Sequence, residues 1–160
     1  MSLIENIFNS FEGEWNLERK VMPLANAMGD PLSTAQGKAV FKRVGDTQVL
    51  AYKEKDTHLL QDATEPLEFY RQYKYELTDD LIAVRFDDGP DKGAHYQSYF
   101  FNKEIRGSRK IDALVPYEVH RCGDDVYSAY YDIDSDNDFT LTTAVHGKEY
   151  LIKTRFTRQP

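Results

Sequence analysis

The sequence predicts an all-β protein: a closed, up-and-down antiparallel β-barrel with a short N-terminal helix. Three observations predict it. About ten short segments alternate apolar and polar residues and are separated by tight turns, the pattern of an all-β sandwich or barrel. Aromatic residues make up 13% of the 160 residues, with eleven Tyr and nine Phe, although the mean hydropathy is only −0.64. Large flat side chains of this kind suit the faces of a sheet. Nearly every connection is of hairpin length, which favours a meander closed on itself over a Greek-key sandwich. Only residues 22–36 and 102–114 have the length for a longer return.

The elements follow in order. Residues 2–12 read as an amphipathic helix, with Leu3, Ile4, Ile7, Phe8 and Phe11 at three- and four-residue spacing. Ser2 followed by Glu5 has the form of a capping box, and Gly13 suits the stop. The helix is expected to close one barrel end. Residues 11–21, FEGEWNLERKV, form a strand with Trp15, Leu17, Arg19 and Val21 on one face. Residues 22–36 carry two prolines and lack a period, so they read as a long loop, either tucked on the body or a flap over an opening. Strands are then expected at 38–44, 48–54, 67–77, 81–86, 93–101, 116–122, 126–133, 139–145 and 149–156, with a charged connection at 102–114. No linker or repeat interrupts the chain, so one domain over residues 1–160 is expected.

Charge and composition narrow the function. The net charge of −7 and pI near 5.1 argue against a nucleic-acid partner, which calls for a basic surface. They also argue against attraction to anionic lipid. No apolar run approaches the roughly 18 residues of a membrane helix, so no membrane insertion is expected. No basic segment leads into an apolar one at the N-terminus, so no secretory leader is expected. The single Cys122 precludes an internal disulfide and fits a reducing, cytoplasmic setting.

Several pieces of the chain match a known pattern. Gly13-Glu14-Trp15 at the head of the first strand resembles the GxW signature of lipocalin-like (calycin) barrels. The Arg155 to Arg158 end of the last strand resembles their basic terminus, which packs over that tryptophan. FEGEWNLER (11–19), TAQGKAVF (34–41), LAYKE (50–54), RQYKYEL (71–77), IAVRFDDG (82–89), HRCGDDVYSAYYDI (120–133) and a Gly-Lys-Glu-Tyr corner (147–150) follow in the order of a family of small uncharacterised bacterial lipocalin-like proteins. The connection at 102–114 is longer than that pattern, and the corner lacks its proline. The resemblance implies a barrel with an interior cavity. It implies no particular ligand.

Face-counting selects the residues expected in that cavity. If Trp15 faces inward, so does Arg19. A buried guanidinium needs a carboxylate, a wet rim or an anionic ligand. Glu54 is a partner for it, because Leu50, Tyr52 and Glu54 share a face. Phe69, Arg71, Tyr73 and Tyr75 share another, as do His95, Gln97, Tyr99 and Phe101, and Glu118, His120 and Cys122. Apolar walls with a few placed polar groups are the mix of a small-molecule site. The expected ligand-lining set is Trp15, Arg19, Tyr52, Arg71, Tyr73, His95, Tyr99, His120 and Tyr127, around a small hydrophobic or amphipathic molecule.

Other chemistry finds less support. His95 and His120 lie on different strands without local ligands at metal spacing, so neither a metal nor another cofactor is expected. Cys122 reads as a small buried side chain. Asp132, Asp134 and Asp136 match the start of a calcium loop, but Asn137 and Thr143 stand where Gly and Glu are needed. That stretch reads as a hairpin tip. Glycine-rich phosphate loops, GxSxG, HExxH and CxxC are all missing from the chain. The leading functional reading is small-molecule binding. Its alternatives are an isomerase, hydratase or lyase in the same cavity, or an interaction module with a filled barrel.

Overall fold

The computed structural model describes residues 2–26, 29–60 and 64–160. Helix α1 (Leu3–Phe11) leads into strands β1 (Gly13–Pro23), β2 (Ser33–Arg43), β3 (Val49–Leu60), β4 (Leu67–Thr78), β5 (Leu81–Phe86) and β6 (His95–Arg106). Strands β7 (Arg109–Pro116), β8 (His120–Cys122), β9 (Asp125–Ser135), β10 (Asp138–His146) and β11 (Tyr150–Arg158) complete the sheet. Each strand from β1 to β7 pairs antiparallel with the next, and β9, β10 and β11 continue the series. Strand β11 then pairs with β1 from Arg158 opposite Trp15 to Tyr150 opposite Pro23. The sheet therefore closes into the expected up-and-down barrel. Strands β7 and β8 share one edge of β9: Leu114 lies opposite Tyr131 and His120 opposite Tyr127. The chain spends six positions there against four on β9, so β7 and β8 form one stave with a bulge between them.

Alternation explains most of these strands. In β1 the buried residues Trp15, Leu17 and Arg19 alternate with solvated neighbours. In β5 Ile82 and Val84 do the same. Helix α1 is capped by Ser2, whose hydroxyl accepts from the Glu5 amide at 3.2 Å. Ile4, Ile7, Phe8 and Phe11 are buried beneath it, while Leu3 stands about 100° round the helix from Ile4 and is exposed. Gly13 leaves the helix at φ +130, where a side chain would also meet the Arg158 guanidinium.

Two connections differ from expectation. The loop expected at 22–36 is shorter, because β1 runs on to Pro23, a single 3-10 turn follows at Leu24–Asn26, and β2 already begins at Ser33. Residues 27 and 28, the centre of the expected flap, lie outside the described residues. The charged connection expected at 102–114 is instead a hairpin of β6 and β7. Its charges pair across strands: Lys103 with Asp112 of β7 at 2.5 Å, Arg109 with Asp134 of β9 at 3.2 Å, and Arg106 past β7 with Asp132 of β9 at 3.0 Å. Those last two carboxylates belong to the stretch that resembled a calcium loop, which is the β9–β10 hairpin tip. Cys122 is exposed rather than buried, in the short strand at the barrel's other end.

The core is densest next to α1. Phe11 packs on Phe41 (5.2 Å between centroids) and Phe139 (4.7 Å), and Phe139 stacks on Phe156 at 4.6 Å. Trp15 meets Phe139 edge-on and donates its indole N–H to the Phe11 carbonyl at 2.8 Å. The Arg158 guanidinium lies 4.3 Å above the indole and donates to the carbonyls of Ser10, Glu12 and Asp136. This is the basic clamp that the terminal arginines suggested.

Candidate functional site

Above that plug the interior changes character. Strand β3 turns Tyr52, Glu54, Asp56 and His58 to one face, and their partners across β4 include Tyr73 opposite Tyr52 and Arg71 opposite Glu54. Arg19 of β1 meets this row from the far side of β2. It can do so because β2 offers it only Ala35, Gly37 and Ala39, the partners of Arg19, Leu17 and Trp15. At Gly37 even a Cβ would come within 2.2 Å of the Lys55 carbonyl oxygen and 2.6 Å of the Asp56 Cα.

Across this stripe of small residues the guanidinium is fully engaged. Its Nη1 donates to Glu54 Oε2 at 2.6 Å and to Asp56 Oδ2 at 2.7 Å, and Nη2 donates to Glu54 Oε1 at 2.9 Å. Nε donates to Thr154 Oγ1 at 2.8 Å. The Tyr52 hydroxyl donates to Glu54 Oε1 at 2.5 Å, Arg71 Nη1 reaches Glu54 Oε2 at 3.3 Å, and His58 Nε2 lies 2.9 Å from Asp56 Oδ2. Of the three outcomes open to Arg19, the structure shows the buried carboxylate partner.

The two carboxylates hold protons differently. Burial works to raise the Glu54 pKa, but Arg19, then Tyr52 and Arg71, outweigh it and bring it to about 2. Asp56 moves the other way: burial and the neighbouring Glu54 raise its pKa against the pull of Arg19. Its Oδ1 is buried without a hydrogen bond among the described residues. Arg19 itself is held charged, since Glu54 more than offsets its desolvation.

A cavity of about 320 Å³ opens over this layer. Arg19, Glu54, His58 and Arg71 form its polar side, and Tyr73, Tyr75, Tyr96, Tyr99, Tyr127 and Tyr131 its aromatic side. It reaches solvent beside Arg71, whose side chain is 36% exposed. Tyr75 and Tyr131 share a hydroxyl hydrogen bond of 2.7 Å. The hydroxyls of Tyr73, Tyr96, Tyr99 and Tyr127 have no hydrogen-bond partner among the described residues.

Six of the expected lining residues surround the cavity: Arg19, Tyr52, Arg71, Tyr73, Tyr99 and Tyr127. Three do not. Trp15 is sealed in the plug below it. His95 is exposed, with Nε2 2.7 Å from Ser98 Oγ, because Val84 pairs with Gln97 while Arg85 pairs with His95. That bulge inserts Tyr96 and breaks the two-residue period on which the His95 placement relied. His120 does not line the cavity and meets Tyr96 edge-on at 5.0 Å. Face-counting missed Asp56 and His58, although they continue the Tyr52–Glu54 alternation by two and four positions. It missed Tyr96 because a bulge leaves no mark on the apolar pattern. Among the described residues no group of three His, Cys, Asp or Glu side chains is placed to hold a metal ion, and no helix is long and apolar enough to cross a membrane.

Fold and site together define a closed β-barrel with a plugged base, a buried ionic layer and an aromatic internal cavity. Comparison with known proteins agrees on the fold. The chain belongs to the Family of unknown function (DUF6314), whose profile matches residues 11–158. Among solved structures it is similar to the S-type phycobiliprotein lyase CPES from Guillardia theta, with a TM-score of 0.60 at 11% identity over 100% of this chain and 94% of that one. It is also similar to the redesigned beta barrel b11L5F_LGL, with a TM-score of 0.46 at 14% identity over 96% of both chains. No curated protein matches it in sequence.

Proposed function

We propose that this protein is a lipocalin-like binder, one domain over residues 1–160, that holds a small, largely apolar molecule with one polar or anionic end inside the barrel. The observation that carries this reading is the cavity of about 320 Å³, walled by tyrosines and reaching solvent at Arg71. Its volume falls within the range of small-molecule sites, ~300–1,000 Å³. Aromatic walls supply burial worth roughly 25 cal/mol for each Å² of apolar surface removed from water. Arg71 takes the polar end, because Arg19 is committed to Glu54, Asp56 and Thr154. Tyr52, Tyr73, Tyr99 and Tyr127 complete the proposed site, and Tyr96 joins them. Trp15 serves the plug, while His95 and His120 stay outside the binding set. A cytoplasmic setting accords with the single exposed Cys122.

The test is native mass spectrometry of protein purified from its source organism, with dye displacement by a panel of aromatic and aliphatic acids, alcohols and amines. A co-purified small molecule, or saturable displacement weakened by Arg71→Ala, is expected. An empty protein that binds no member of the panel would overturn the reading.

A further inference from the structure

We infer that the cavity selects a compact aromatic carboxylate, with the carboxylate on the fork of Arg71 and the ring among Tyr73, Tyr96 and Tyr127. The inference rests on the reading of the cavity as a ligand site and adds the ligand's chemical class. Its basis is a count of hydrogen-bonding groups on the cavity wall. The acceptors are largely taken. Both Glu54 oxygens already receive hydrogen bonds from Arg19, with Tyr52 and Arg71 adding to them. The free oxygen of Asp56 does not help, because Asp56 is not part of the wall.

The donors are free. Arg71 spends Nη1 on Glu54 at 3.3 Å, and Nε and Nη2 make no bond among the described residues. Four phenol hydroxyls, those of Tyr73, Tyr96, Tyr99 and Tyr127, are likewise without a partner there. Of these, Tyr99 is only 2% exposed, so its hydroxyl looks into the cavity rather than into bulk water. Burial raises the pKa of Tyr73, Tyr96 and Tyr99, so these phenols keep their protons near neutrality. With the one lining carboxylate engaged and the Arg71 N–H groups able only to donate, the wall favours an occupant that brings acceptors, toward which the phenol hydroxyls can turn their protons. A cationic occupant would face the Arg71 charge and find only hydroxyl oxygens to accept from it.

Shape narrows the class further. Tyr73 and Tyr96 stack with planes 15° apart and centroids 5.6 Å apart, and Phe86 packs 4.9 Å from Tyr96. Aromatic walls of this kind favour a ring that stacks or meets them edge-on. The volume of about 320 Å³ lies at the small end for ligand cavities, which suits one or two rings. The planar Arg71 fork matches a carboxylate with two parallel hydrogen bonds.

The test uses three naphthalene probes that differ only in the head group: naphthoate, naphthylmethanol and naphthylmethylammonium, titrated calorimetrically near neutral pH. Naphthoate is expected to bind at least about tenfold tighter than the ammonium, the factor that one charge-assisted hydrogen bond supplies. Arg71→Gln and Tyr96→Phe are each expected to weaken naphthoate about fivefold or more and to leave naphthylmethanol within about twofold. Tyr96→Phe removes a hydroxyl that has no internal partner, so this variant keeps its fold and the test stands even if Arg71→Gln unfolds. Equal affinity for all three probes, or a preference for the ammonium, overturns the carboxylate assignment and leaves the cavity reading standing. No binding by any probe overturns both.

Discussion

The base of the barrel and the layer above it bury side chains by opposite means. At the base Phe11, Phe139 and Phe156 pack ring on ring, and the lone indole N–H finds a helix carbonyl. One turn of the pleat higher, the same sheet encloses a guanidinium, two carboxylates and a histidine. Both regions are nearly dry, with Trp15 0% and Asp56 1% exposed. The difference teaches what a closed sheet needs in order to bury charge. It needs a strand with almost no side chains, here Ala35, Gly37 and Ala39 of β2, so that groups on the strands to either side can meet.

Breaking the polar layer from one side is expected to have the largest effect. Arg19→Ala leaves Glu54 and Asp56 buried without their cation and should cost about 3–5 kcal/mol in chemical denaturation. A loss under about 1 kcal/mol would mean that the layer is solvated. Replacing the three charges at once, with Arg19→Met, Glu54→Leu and Asp56→Leu, is expected to recover part of that loss, because no charge is then buried unpaired there while the Tyr52 and Thr154 hydroxyls lose their partners. At the base, Arg158→Ala removes the cation over Trp15 and its carbonyl bonds, and should cost about 2 kcal/mol. Tyr75→Phe breaks the shared hydroxyl bond with Tyr131 and should cost about 1 kcal/mol, measured against Tyr96→Phe, which breaks none and should cost about zero.

Acid sharpens the same contrast, since the base contains no such carboxylates. The unfolded Glu54 takes up its proton near pH 4.5, while the folded one resists until about 2. Its contribution is therefore complete above pH 4.5 and is lost as pH falls through 2. Asp56 has the opposite sign, because its raised pKa gives stability below its ordinary 3.8 that is lost as pH rises through the raised value. Melting temperature followed from pH 5 to about 2 should fall less steeply in Glu54→Gln and more steeply in Asp56→Asn. Parallel curves for both variants and the unmodified protein would contradict this assignment.

Much of this contrast was legible in the sequence, for physical reasons that differ by element. The strand at 67–77 reads from its alternating apolar and polar residues and the strand at 81–86 from a short apolar run between turn clusters, and both stand within one residue of their expected bounds. The arginine on the apolar face of β1 and its partner Glu54 followed from period-2 counting alone. Three features did not follow. Gly37 falls just outside the strand expected at 38–44, although it sits inside β2 at a point where the neighbouring backbone leaves no room for a Cβ. The charges of 102–114 read as a solvated connection, whereas cross-strand pairs let them belong to strands. The Tyr96 bulge shifts the register between β5 and β6 without altering composition, so His95 was assigned to the wrong face.

The bond from Arg19 to Thr154 joins residues 135 positions apart. It crosses the seam where the first and last strands of the sheet zip together. While that seam is open the guanidinium lacks its Thr154 partner and keeps one side toward water. Shutting the ring therefore completes the burial of the charges, which ties the most distant contacts in the chain to the deepest polar ones. A protein wired in this way should refold slowly and in a single cooperative phase, as structures dominated by distant contacts do.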